Sequence, residues 1–248
     1  MVKGLDTFQK YFSDYEEQYV LIGGAACDIL FESNEVNFRA TRDLDMVLIV
    51  EALTPEFGEK IWGFIVDGKY RNKATNGSNP QFYRFDKPED DKFPKMIELF
   101  CRSNFKLKNA KGITPIHIDD EVSSLSAILL NDDYYKALLN GKEVRNGLSV
   151  LRPEYIILFK AKAYLDLKRQ KDLGEKVDSS DIKKHKKDIL RIASELMLEK
   201  VEELPIAVDA DIHSFIELLD QEPFDQNSLK RYGLKNEDVV ELLKQVFG

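Results

Sequence analysis

Three acidic residues and two glycines carry the chemistry this sequence offers. Asp43 and Asp45 stand two apart at the head of the apolar run 46–50. On a strand, alternate residues share a face, so both carboxylates point the same way. Like charges so placed repel each other unless a cation lies between them. Gly23-Gly24 follows the short apolar run Tyr19–Ile22 and precedes a helix-length segment. Lacking side chains, these residues let backbone N–H groups approach an anion at a helix N-terminus. A holder for phosphate beside a holder for metal suits chemistry on a nucleoside triphosphate. Glu98 is the third acid. It interrupts the otherwise apolar stretch 95–101, and a lone buried carboxylate needs a partner. If that strand lies beside the Asp43 strand, three carboxylates converge. Three oxygen donors plus substrate phosphates suit Mg2+, a hard ion that keeps few protein ligands. Two such ions can bridge the acids and a triphosphate.

Periodicity shows which elements must position these residues. Apolar side chains at helical spacing predict an amphipathic helix over 5–18, and small or apolar ones predict a helix over 25–31. Strands are expected over 19–22, 44–51, 81–85 and 95–101, and a hairpin over 143–151 around Asn146-Gly147. Thr54-Pro55 reads as an N-cap and first helical residue, opening a helix to about Val66. Residues 72–79 read as a polar loop. After Leu151 the character changes, with helices over 153–170, 181–198 capped by Ser180, 209–219 and 237–246. The expected fold is α+β: a mixed β-sheet with flanking helices in 1–151, then a helical C-terminal region in 152–248. Trp62 and the aromatic residues of the first half read as core.

Composition sets bounds. The 248 residues carry a net charge of −8, and 43% are apolar, enough for a real core. So acidic a chain is a poor general nucleic-acid binder. Its charge is uneven: residues 1–151 carry −5, 152–200 carry +4 with 13 basic residues, and 201–248 carry −7. The basic stretch suits polyphosphate or RNA contact, and equally a solvated helix face. The two cysteines, Cys27 and Cys101, sit among apolar residues and suggest neither a disulfide framework nor a zinc site. His117, His185 and His213 are scattered, and Ser126 and Ser149 lack an evident partner, which disfavours a His-based metal site or a Ser triad. No leader-like segment and no run of membrane-spanning length is seen, so a cytoplasmic protein that does not enter a membrane is expected.

The strings Ile22-Gly23-Gly24 and Asp43-Leu44-Asp45, completed by Glu98 on a later strand, resemble the nucleotidyltransferase superfamily related to DNA polymerase beta. Arg39-Ala40-Thr41-Arg42-Asp43-Leu44-Asp45 looks more narrowly like the AbiEii/AbiGii toxin-type nucleotidyltransferases. The stretch from Pro153 to Leu167 is similar to that group's lysine-bearing helix, and Lys184 to Ile189 to its Lys-Asp motif helix. The resemblance implies a transferase that moves a nucleotidyl group from an NTP to a hydroxyl acceptor and releases pyrophosphate. Asp43, Asp45 and Glu98 would be its catalytic and metal-binding residues, holding two Mg2+ ions. Gly23, Gly24, Arg39, Thr41, Lys160, Lys187 and Asp188 would bind the nucleotide. The acceptor would be tRNA, a protein or a small molecule, and the setting a toxin–antitoxin or phage-defence system with an antitoxin partner. Lys160 and Lys162 also fit ordinary helix residues with snorkelling side chains. Two departures, the eighteen residues between Gly24 and Asp43 and a Glu as third acid, suit an alternative: a non-catalytic nucleotide- or partner-binding protein of the same fold.

Overall fold

Short β-branched and aromatic runs make strands when they can pair on both sides. The structure, a computed structural model, describes residues 2–32, 43–72, 82–102, 128–129 and 131–248. Tyr19–Ile22 forms β1, wholly buried, and Asp43–Leu48 forms β2. The other described strands are β3 (Arg71–Asn72), β4 (Phe82–Asp86), β5 (Met96–Cys101), β6 (Lys142–Arg145) and β7 (Leu148–Leu151). They build a seven-stranded mixed sheet in the order β3-β4-β5-β2-β1-β7-β6. β2 pairs antiparallel with β1 and parallel with β5. β7 runs parallel to β1 and antiparallel to β6. The β6–β7 turn is the expected hairpin: Asn146 and Gly147 have φ of 52° and 68°, both positive as a two-residue I′ turn requires.

Helices α1 (Leu5–Phe12), α2 (Gly23–Glu32) and α3 (Pro55–Asp67) accompany the sheet. The helix expected over 5–18 stops at Phe12, and the chain resumes as a 3-10 turn at Glu16–Gln18. Ser13 and Asp14 interrupt it, since such side chains favour turns over helix interiors. The strand expected over 44–51 ends at Leu48, because Val50–Ala52 coils into another 3-10 turn. Thr54 caps α3 as expected, its hydroxyl accepting from the Phe57 N–H at 3.3 Å. Phe8 and Phe12 of α1 and Phe57 and Phe64 of α3 meet Tyr19 of β1 in one aromatic cluster. Some of its rings meet edge to face, with centroids 5.6 Å apart for Phe8–Tyr19 and 5.3 Å for Phe12–Phe64, while Tyr19 and Phe57 lie parallel at 6.3 Å. Trp62 is only half-buried, unlike the core residue expected. Cys27 and Cys101 are buried.

The remaining described helices are α4 (Asp132–Asn140), α5 (Pro153–Asp172), α6 (Ser179–Glu195), α7 (Ile206–Gln221), α8 (Gln226–Tyr232) and α9 (Asn236–Phe247). α4 and α8 had no counterpart among the expected helices. Asp178, rather than Ser180, caps α6, its side chain accepting from the Ser180 N–H at 2.8 Å. Residues 153–161 of α5 are all buried, so the first half of this helix is enclosed on every side, while its last turns reach the surface. The chain divides into two units. A sheet unit takes Met1–Asp119 and Lys142–Arg152; a helical unit takes Asp120–Gly141 and Pro153–Gly248. Helix α4 therefore groups with the later helices, although it precedes β6 in the chain. Among the described residues no helix is long and apolar enough to cross a membrane.

Candidate active site

Strand register sets Asp45 beside Glu98. β2 and β5 run parallel with Asp45 opposite Glu98 and Asp43 opposite Met96. β4 adds Arg84 opposite Glu98. Asp45, Glu98 and Arg84 thus line up across three strands, with Asp43 two residues from Asp45 on the same face. By the two-residue period this is the face opposite Tyr19 and Leu44.

Glu98 is only 6% exposed. Arg84 holds it: Nε donates to Oε1 at 2.7 Å, and a terminal nitrogen lies 2.6 Å from the same oxygen. Burial pushes the Glu98 carboxyl above the usual carboxylate range. The Arg84 charge and a hydrogen bond with Asp45 oppose that rise, while the Asp43 charge adds to it. By formal charge the four side chains sum to −2.

Gly23 is the first residue of α2 and lies against this group. Its φ is +62°, and a Cβ built there would stand 2.2 Å from Asp45 Oδ2. A side chain is excluded twice, by backbone strain and by the carboxylate. The pairing of Ile22 with Asp45 fixes this approach, so the eighteen intervening residues do not separate the glycines from the acids. Asp45 also benefits from the positive end of α2. Gly24 is buried in the first turn of that helix.

The three carboxylates fit a hard cation in donor chemistry, while the nearby N-terminus of α2 suits a phosphate. In the geometry seen, Glu98 is turned onto Arg84. Among the described residues no three His, Cys, Asp or Glu side chains are gathered into a metal-holding group.

The other expected site residues belong to the helical unit or fall outside the described residues. Lys160 and Asp188, in the helical unit, form a buried ion pair at 2.7 Å, with side chains 10% and 6% exposed. Lys187, one residue on, is exposed. Lys162 is paired with Asp166 and Asp211 at 3.1 and 3.3 Å. Arg39, Thr41 and Arg42, with His117 and Ser126, lie outside the described residues. Arg84 is the residue that sequence reasoning passed over. Its signal was present: an arginine inside an alternating apolar strand, next to a strand whose acid needed a partner.

No protein-family model matches the chain, and no curated protein matches it. Among solved structures it is similar to an antigenic nucleotidyltransferase-like protein from Paracoccidioides brasiliensis, at 16% identity over 97% of this chain and 93% of that one, with a TM-score of 0.47. A likeness that distant assigns neither residues nor an activity.

Proposed function

We propose that the chain is a Mg2+-dependent nucleotidyltransferase. The observation that carries this reading is the side-by-side register of Asp45 and Glu98, with Gly23 against Asp45. Asp43, Asp45 and Glu98 would hold one or two Mg2+ ions. When bound, these supply positive charge to the triphosphate and to the acceptor oxygen. The acceptor hydroxyl oxygen attacks the α-phosphorus. A new O–P bond forms, the bond to the bridging oxygen breaks, and pyrophosphate leaves with the electron pair. Glu98 takes the hydroxyl proton and passes it to solvent. Gly23 and Gly24 leave room for phosphate oxygens beside the acids. Arg84 holds Glu98 in place and would share it with a bound ion. The AbiEii/AbiGii-like string around Asp43 supports placing the enzyme among toxins of toxin–antitoxin or phage-defence systems, in the cytoplasm. The acceptor would then be tRNA, a protein or a small molecule, and an antitoxin would be its partner.

The test is transfer of label from NTPs to cell extract in the presence of Mg2+. Asp45→Asn should reduce transfer about a hundredfold or more, the scale for losing one preorganised charge-stabilising group. Its thermal midpoint should hold or rise, since one of several repelling carboxylates is gone. Equal transfer by the variant would sink the proposal. A second reading, nucleotide or partner binding without turnover, is favoured by the Arg84 contact to Glu98. It requires NTP binding by calorimetry that survives EDTA, with no pyrophosphate released.

A further inference from the structure

A pocket of about 470 Å³ opens in the helical unit between α5, α6 and the segment 223–228. Four lysines line it: Lys171, Lys183, Lys186 and Lys187. Asp225 is the acid among its lining residues, and it is committed to capping α8, accepting from the Ser228 N–H and hydroxyl at 2.9 Å each. Nearby Glu222 is engaged by Lys168 and by the Tyr164 hydroxyl at 2.8 Å. Three formal positive charges therefore remain over in this pocket, within a chain of net −8.

The lysines are held in different ways. Lys171 donates to Ser179 Oγ at 2.6 Å. Lys186 is half-buried. Its ammonium donates to the Glu222 carbonyl and lies 5.6 and 5.5 Å from the ring centres of Tyr164 and Phe224. Those contacts fix its direction without neutralising it. Lys183 and Lys187 make no hydrogen bond or ion pair with another described side chain. They stand at i and i+4 on α6, where like charges destabilise a helix. Such crowding is relieved when an anion enters, and ammonium groups suit phosphate oxygens as point charges. The volume lies in the range of small-molecule sites.

We infer that this pocket binds a small molecule bearing two or more phosphate charges. Every lining residue belongs to the helical unit, so binding needs neither a divalent ion nor Asp43, Asp45 or Glu98. The test is calorimetric titration of the full chain with inorganic tripolyphosphate in EDTA. Wild type and Asp45→Asn should bind alike in the micromolar to low millimolar range, more weakly as salt rises. The double variant Lys183→Ala/Lys187→Ala should bind about tenfold to a hundredfold more weakly, as expected for losing two charge-assisted contacts. Its thermal midpoint should be unchanged or higher. No binding to wild type, equal binding by the double variant, or loss of binding in Asp45→Asn would each overturn the inference. A single-stranded oligonucleotide run alongside should bind no more tightly than tripolyphosphate; tighter binding would replace a small phosphorylated ligand with nucleic acid.

Discussion

Glu98 and Asp188 are both buried acids with a basic partner at nearly the same distance, Arg84 at 2.6 Å and Lys160 at 2.7 Å. What surrounds them differs. Lys160 and Asp188 balance each other inside the helical unit. Glu98 is held by Arg84 and also hydrogen-bonds with Asp45 beside it in the sheet, and the Asp43 charge reaches it as well. A balanced buried pair is a fixture of the fold, costly to break and of little use to a ligand. A surplus of carboxylates is the reverse, since further positive charge lowers its energy. For Lys160 to contact a nucleotide it would have to give up its buried ion pair with Asp188.

Breaking the balanced pair should have the largest effect. Lys160→Met leaves Asp188 charged and buried, and should cost about 3–5 kcal/mol in urea denaturation. Adding Asp188→Leu should restore most of that loss. A single variant as stable as wild type would remove the distinction between the two sites. On the sheet side, Gly23→Ala forces a Cβ into Asp45 at a positive φ, and should cost about 1–3 kcal/mol by the same measurement. Arg84→Gln sharpens the contrast. It removes a positive charge that competes with metal while keeping a hydrogen-bond donor, so Mn2+ affinity by calorimetry should rise about tenfold. Weaker Mn2+ binding would mean that Arg84 builds the site rather than guarding it.

The smallest effect belongs to a third acid. Lys168 and then Tyr164 hold the Glu222 carboxyl below the usual carboxylate range, against the opposing pull of burial. Its folded pKa lies below the unfolded one, so its contribution is full above the unfolded value and is lost as pH falls through the folded value. The thermal midpoints of wild type and Glu222→Gln should therefore differ at neutral pH and converge in acid. The gap should be small and salt-sensitive, because the side chain is 40% exposed.

Local signals in the sequence were read correctly where one residue type decides the geometry. Asn146-Gly147 gave the hairpin and Thr54-Pro55 the start of α3, because turns and caps depend on few atoms. The lone acid in 95–101 announced a need for a partner. Arg84 stands out as a charge in an alternating strand, but that it lies opposite Glu98 was not legible, since the register between β4 and β5 is a long-range pairing. The same limit hid the Lys160–Asp188 pair, which joins two helices across a long stretch of chain. Asp132–Asn140 went unread as a helix because its apolar face is short, and its membership of the helical unit follows from packing across a long stretch of chain.

The pairing of Leu21 with Val150 has a kinetic side. Strand β1 is made early, yet its parallel neighbour β7 arrives only after most of the sheet unit and all of α4 have been synthesised. Until then one edge of β1 carries open backbone donors and acceptors, bordered by the apolar side chains of Tyr19–Ile22. A contact of such sequence separation closes slowly. The nascent chain is therefore most prone to sticking to others of its kind just before residue 150 emerges, and a substitution that weakens the β6–β7 turn should show up in soluble yield before it shows up in equilibrium stability.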